Sequence, residues 1–119
     1  MRHDIPKLRE DVLLAIADAE ELFRGRTFRD LQAERALQLM AERVVEIIGE
    51  ALSRLRRHHP DAARAVPEID KIIGLRNILA HGYDAVDYEI LWDVIENRLG
   101  VLKGDMSKMI LCPIDEEGV

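Results

Sequence analysis

The sequence predicts an all-α protein, an antiparallel four-helix bundle with a short C-terminal extension. Apolar side chains recur every three or four residues in four segments, and no segment alternates apolar and polar residues for long enough to form a strand. The chain has 119 residues, of which 48% are hydrophobic and 34% charged, a composition that suits one compact core and argues against disorder. We therefore expect a helical domain over residues 1–103 and a tail over residues 104–119.

The first helix is predicted from the capping residue Asp4 and the first-turn proline Pro6 to a stop at Gly25. Between these points the apolar residues keep a helical spacing, which indicates one buried face. The stretch "RGRTFRD" that follows is expected to be a short connection to the next helix.

The second helix is predicted from Leu31 to about Arg57. Its apolar stripe is wide enough to face a neighbouring helix and a further surface, which could be another subunit. Gly49 costs helix stability relative to alanine, so it indicates a close backbone approach at a helix crossing. Glu46 and Glu50 lie one turn apart and face either water or a shared polar cleft; the sequence leaves both readings open.

The third helix is predicted to start at Ile69, after two prolines break the pattern, and to end near His81 with Gly82 as its stop. A fourth helix is predicted from about Val86 to Lys103, and the chain beyond it is expected to be a loop or a docked extension. Its predicted buried side comprises Ile90, Leu91, Val94, Ile95, Leu99 and Leu102. Short connections between four such helices are typical of an antiparallel bundle.

The net charge of −6 disfavours non-specific binding to nucleic acid, so any contact with RNA must be local. One basic region could make such a contact. The alternative is that its cations are solvated and interact favourably with the dipole at a helix C-terminus. It comprises Arg54, Arg56, Arg57, His58, His59 and Arg64. The single Cys112 excludes an internal disulfide, and the lack of a long apolar run or signal-like N-terminus leads us to expect a cytoplasmic protein.

The densest polar interruption of an apolar helix is "RNILAHGY", residues 76 to 83. Arg76 offers a planar cation suited to phosphate, His81 titrates near neutral pH, and Tyr83 adds a hydroxyl or a stacking ring. These groups suit metal-independent cleavage of RNA, in which a base activates the ribose 2′-hydroxyl and cations stabilise the developing charge. One histidine is too few for separate base and acid, and a two-fold dimer would supply a second copy.

The alternative is that these side chains only cap carbonyls and pack a loop at the helix end. No Gly-rich phosphate loop and no Ser/His/Asp arrangement is visible in the sequence, and no cofactor is predicted. No metal site is predicted either, because the four histidines show no ligand spacing with cysteine or carboxylates.

The segment "RNILAHGY" matches the R-x4-H-x-Y signature of the HepT-like toxins in the HEPN superfamily. The chain also resembles that family, in the same order, in "IGEAL" at 48–52, "HP" at 59–60, "IIGLRN" at 72–77 and "VDYEILWDVIENRL" after the motif. The resemblance covers about residues 4 to 103.

The resemblance implies a HEPN-like homodimer whose two motifs meet in an interfacial cleft and which acts as a metal-independent endoribonuclease toxin on messenger or transfer RNA. Arg76 and His81 would be the catalytic pair, with Asn77 in support. Glu50 is a further candidate for a supporting residue. The implied system is type VII-like: an MntA-like nucleotidyltransferase antitoxin neutralises the toxin by transferring AMP to Tyr83. A rival reading is a non-catalytic helical module that binds a nucleotidyltransferase, which the acidic charge balance favours slightly.

Overall fold

The computed structural model describes residues 4–80 and 86–109, and it confirms the all-α prediction. The helices are α1 (Ile5–Phe23), α2 (Phe28–Ala33), α3 (Arg35–His58), α4 (Pro60–Ala63), α5 (Ile69–Ala80), α6 (Tyr88–Asp93) and α7 (Leu99–Met109). A π-helical segment, Val94–Arg98, joins α6 to α7, so the three form one long rod, the fourth of the bundle after α1, α3 and α5. Within the described residues, no helix is both long and apolar enough to cross a membrane.

The ends of α1 follow the prediction. The carboxylate of Asp4 accepts a hydrogen bond from the backbone N–H of Lys7 at 2.8 Å, which satisfies a donor of the first turn. At the other end Gly25 has a φ of 76°, in the left-handed region that glycine adopts without steric cost.

The connection from α1 to α3 differs from the prediction because it contains a separate helix. Thr27 and Asp30 cap α2 reciprocally: the Asp30 N–H donates to the Thr27 hydroxyl at 3.2 Å, and the Thr27 N–H donates to the Asp30 carboxylate at 2.9 Å. This capping box is strong enough to start a helix at Phe28. The second long helix therefore begins at Arg35, not at Leu31.

Helix α3 is the centre of the bundle, because α1 and α5 both pack against it and α2 and α4 contact it as well. Its buried residues are Leu37, Ala41, Val44, Val45, Ile48, Gly49, Ala51, Leu52 and Leu55. The width of its apolar stripe thus follows from two neighbours in the same chain and does not require another subunit. Met40, an apolar residue of the same helix, is 45% exposed.

The last helical rod differs from the prediction at both ends. It begins at Tyr88, because the Asp87 carboxylate accepts hydrogen bonds from the N–H groups of Glu89 at 3.0 Å and Ile90 at 3.3 Å. It continues past Lys103 to Met109, since Met106 and Met109 are buried against the core. Ile90, predicted on the buried side, is 50% exposed.

Candidate active-site cleft

A polar cleft runs along one face of α3, with a volume of about 470 Å³. Its lining residues on α3 recur at helical spacing, which places them on one face of that helix. They are Arg43, Glu46, Ile47, Glu50, Ala51 and Arg54. Helix α1 contributes Asp11 and α5 contributes Arg76, so the three principal helices of the bundle meet at this cleft.

Arg76 is the one residue of the R-x4-H-x-Y motif that the described chain places in the cleft. Its Nη2 donates a hydrogen bond to Oε1 of Glu50, and its Nη1 donates to Oδ1 of Asn77 at 3.1 Å. The Arg76 side chain is only 29% exposed, so its guanidinium is partly desolvated. Glu50 and Asn77 hold it in this position. An arginine held in this way loses little side-chain entropy when it binds a ligand.

Gly49 allows Arg76 to approach α3 this closely. A Cβ at Gly49 would lie 2.6 Å from Cγ of Arg76 and closer still to its Cβ, nearer than carbon atoms can pack. This confirms the prediction that Gly49 permits a close approach at a crossing, which is the contact between α3 and α5. The group that packs against Gly49 at that crossing is the aliphatic part of the Arg76 side chain.

Ion pairs organise the remaining charges around the cleft. Asp11 accepts from Nζ of Lys7 at 2.8 Å, and Glu46 lies 3.5 Å from Nη1 of Arg43. Glu50 uses its second oxygen, Oε2, for Nη2 of Arg54 at 3.0 Å. Of the two readings that the sequence left open for Glu46 and Glu50, the structure therefore shows the polar cleft.

Three of the predicted site residues, Arg76, Asn77 and Glu50, come together in the structure. His81 and Tyr83 lie outside the described residues, as does the predicted helix stop at Gly82. His81 follows the last residue of α5 directly in sequence. The described residues contain no group of three or more side chains that could hold a metal ion.

Arg54 lies in the cleft, a position that the sequence did not predict, because Arg54 was assigned only to the basic region at the end of the second helix. The signal that could have found it is its position four residues after Glu50, the spacing at which a carboxylate and a cation meet on one helix face. Two other cations of that region point elsewhere: Arg56 pairs with Asp70 at 2.6 Å, and Arg64 pairs with Asp61 at 3.3 Å.

Tyr88 is the one tyrosine within the described residues, and it does not line the cleft. Its hydroxyl donates to Oε2 of Glu42 at 3.0 Å, while Nη1 of Arg35 lies 3.5 Å from the hydroxyl. Burial raises the pKa of Tyr88, and the Glu42 carboxylate raises it further, against a smaller lowering by Arg35. The hydroxyl therefore stays protonated at neutral pH and keeps its hydrogen bond to Glu42.

The fold and the cleft together define an all-α protein with a partly buried arginine in a polar cleft. Comparison with known proteins shows its family. The family model described as "Ribonuclease HepT-like" matches residues 12–109. The chain therefore belongs to the HepT-like ribonuclease family, which confirms the resemblance and the enzyme class predicted from the sequence.

Similar proteins carry ribonuclease names. The chain is 33% identical over 102 residues to "Probable ribonuclease HepT" of Thermococcus cleftensis, covering 84% of this chain and 90% of that protein. It is 30% identical over 90 residues to "Putative RNase TTE0752" of Caldanaerobacter subterraneus, covering 76% and 80%. It is 26% identical over 106 residues to "Putative RNase MJ1380" of Methanocaldococcus jannaschii, covering 89% and 96%. No solved structure gives a significant match.

Proposed function

We propose that this protein is the toxin of a type VII-like toxin–antitoxin system, a metal-independent endoribonuclease that cuts messenger or transfer RNA in the cytoplasm. The observation that carries the proposal is the position of Arg76: the first residue of the R-x4-H-x-Y motif lies in a polar cleft, fixed by Glu50 and Asn77. Membership of a ribonuclease family supports the same activity.

In the proposed reaction, a base removes the proton of a ribose 2′-hydroxyl, whose oxygen forms a bond to the adjacent phosphorus as the bond to the 5′-oxygen breaks. An acid returns a proton to the leaving 5′-oxygen. His81 would transfer protons, and Arg76 would stabilise the negative charge that develops on the phosphate oxygens. Glu50 would hold the Arg76 guanidinium in place, which is a positioning role.

We further propose that two copies of the chain form a homodimer and bring their motifs to one cleft. A second subunit would supply the second histidine that separate acid and base roles require. An MntA-like nucleotidyltransferase would act as the antitoxin by transferring AMP from ATP to Tyr83: the Tyr83 oxygen, which gives up its proton, would bond to the α-phosphorus as pyrophosphate leaves. The added bulk and negative charge would then occupy the cleft in which Arg76 is proposed to bind a phosphate of the RNA, and so would block the substrate.

The test is cleavage of total cellular RNA in EDTA by the wild-type protein, His81→Ala and Arg76→Gln. We expect the wild type to produce fragments with 2′,3′-cyclic phosphate ends and both variants to lose at least about a hundredfold in rate, as removal of a proton-transfer or charge-stabilising group does. Circular dichroism and sedimentation would verify that the variants keep the fold and assembly of the wild type.

Equal cleavage by wild type and a folded His81→Ala protein would contradict the assignment of His81. If a folded, unmodified wild-type protein does not cut RNA but binds a nucleotidyltransferase, the protein is the interaction module and not the enzyme.

A further inference from the structure

Glu50 is shared by two guanidinium groups from different helices. Its Oε1 accepts from Nη2 of Arg76 on α5, and its Oε2 lies 3.0 Å from Nη2 of Arg54 on α3. One carboxylate thus holds two arginines beside each other in the cleft. Each guanidinium has five N–H donors, so the contact to Glu50 leaves further donors on both.

The carboxylates of the cleft differ in the number of cations that they face. Asp11 pairs with Lys7, and Glu46 pairs with Arg43. Glu50 is paired with two cations, Arg54 and Arg76. The two guanidiniums therefore share one carboxylate, and a phosphodiester group, which carries one negative charge, would neutralise the second of them.

The burial of Arg54 separates it from the solvated cations around it. Its side chain is 22% exposed, whereas Arg56 is 47% exposed and Arg64 is 80% exposed. A cation in a partly desolvated position interacts more strongly with an anion than one in open solvent, because water screens it less. Arg54 also lines the same cleft as Arg76, so both can address one ligand.

We propose that Arg54 and Arg76 form a two-guanidinium site for a single phosphodiester group of the RNA substrate, with Glu50 positioning both. This inference rests on the proposed ribonuclease function, which it deepens by adding Arg54 as a phosphate-binding residue. Planar guanidiniums match the oxygens of a phosphate in pairs, which makes arginine better suited to this task than lysine. Recognition by two fixed donors also explains how an acidic chain can hold RNA without a broad positive surface.

The test uses a short single-stranded RNA made non-cleavable by 2′-O-methyl groups, with binding followed by fluorescence anisotropy at constant salt. Arg54→Gln and Arg76→Gln should each weaken binding about tenfold, the usual loss for a charged hydrogen bond. Because both arginines hold one phosphate, the double variant should lose clearly less than the product of the single losses. Arg54→Lys should fall between the wild type and Arg54→Gln.

Two further variants separate a contact with phosphate from an indirect effect. Arg56→Gln removes the same charge from the same helix outside the cleft, so it should weaken binding by no more than about twofold, as expected for an exposed charge. Glu50→Gln should leave RNA binding equal to or tighter than that of the wild type while lowering the cleavage rate. If Arg54 acted only through Glu50, Glu50→Gln would weaken binding as much as Arg54→Gln.

The outcomes also separate this inference from the proposed function. Suppose that the losses of binding at Arg54 and Arg76 are less than additive, but that the wild-type protein does not cut natural RNA. This result would support the phosphate site and overturn the ribonuclease proposal. Cleavage by wild type, with Arg54→Gln indistinguishable from Arg56→Gln, would overturn the phosphate site and leave the ribonuclease proposal standing. Additive losses at Arg54 and Arg76 would show that they hold different groups, which also overturns the inference.

Discussion

At the scale of single residues, the pairing of Gly49 with Arg76 links packing to the proposed chemistry. Gly49 has no side chain, and the stem of Arg76 occupies the space where one would lie. The guanidinium at the end of that stem then reaches Glu50, one residue further along α3. A buried glycine in the middle of a helix is thus explained by the position that it permits for a motif residue.

Gly49→Ala should destabilise the protein by about 1–3 kcal/mol, because the steric cost of overpacking exceeds the gain in helix propensity. It should also lower RNA cleavage, since Arg76 must move. Gly100→Ala is the matched control: it too lies within a helix but has no atom within 4 Å of the added carbon, so it should stabilise by up to about 1 kcal/mol. Urea denaturation measures both changes, and a Gly49→Ala protein as stable as Gly100→Ala would refute the packing argument.

Asp93 provides a pH-dependent contribution to stability. A hydrogen bond from Asn97 at 2.8 Å, and a second from Arg98 at 3.2 Å, lower the pKa of the Asp93 carboxyl below its ordinary value. A carboxylate with a lowered pKa in the folded state stabilises the protein above its unfolded pKa and loses this effect as the pH falls through the folded value.

Asp93→Asn should therefore be less stable than wild type near neutral pH, and the difference should shrink as the pH falls below about 4. Urea midpoints of the two proteins across this range would measure the effect. Asn97→Ala, which removes the first of the two donors, should show a smaller dependence of the same sign. A difference between wild type and Asp93→Asn that does not change with pH would contradict the assignment.

At the scale of secondary structure, the last helical rod shows what periodicity can and cannot predict. Its buried residues step by three or four positions except between Val94 and Leu99, where the step is five. The π-helical turn accommodates this longer step, so that Leu99 stays on the side of the core. A period of 3.6 residues does not anticipate such a turn, although the irregular spacing was visible in the sequence.

The end of this rod was also misjudged for a physical reason. Gly100 and Gly104 favour a stop by propensity, but burial of Met106 and Met109 outweighs that preference. Tertiary contacts therefore decide where this helix ends, and they involve residues far away in sequence. For example, Nε of Arg9 donates a hydrogen bond to the backbone carbonyl of Met106 at 2.9 Å.

Met106→Ala should cost about 2–5 kcal/mol, because it leaves a cavity at a fully buried position. Val101→Ala, on the exposed side of the same helix at 53% exposure, should change stability by no more than about 0.5 kcal/mol. Thermal unfolding of the two variants beside wild type would measure the difference. Similar stabilities for Met106→Ala and Val101→Ala would mean that residues beyond 103 are a dispensable tail.

At the scale of the whole molecule, a chain of net charge −6 gathers three arginines at one cleft between α1, α3 and α5. The charge of the molecule therefore disfavours loose binding of RNA, so in the proposed function specific contacts in the cleft would supply the affinity. A single modification could control such a site, since one added phosphate-bearing group could occupy the guanidiniums of Arg54 and Arg76. The proposed acceptor of that group is Tyr83.

Tyr83→Phe should remain folded, keep at least part of its RNA cleavage and escape inhibition by the proposed nucleotidyltransferase with ATP. The wild type should gain one AMP per chain at Tyr83, as peptide mass spectrometry would show. Tyr88 serves as the internal control, because its hydroxyl is already bonded to Glu42 and its raised pKa keeps it a poor nucleophile. AMP on Tyr88 in place of Tyr83 would overturn the assignment.

The sequence by itself determined the helical class, the first cap at Asp4, the stop at Gly25 and the family, because these depend on local spacing, local hydrogen bonds and a contiguous motif. It also singled out Arg76, Asn77 and Glu50 as site residues. Only the tertiary structure decided that Glu50 joins Arg76 to Arg54, because α3 and α5 are brought together by a packing contact between residues distant in sequence. Gly49 allows that contact, and the cleft of the proposed ribonuclease forms as its consequence.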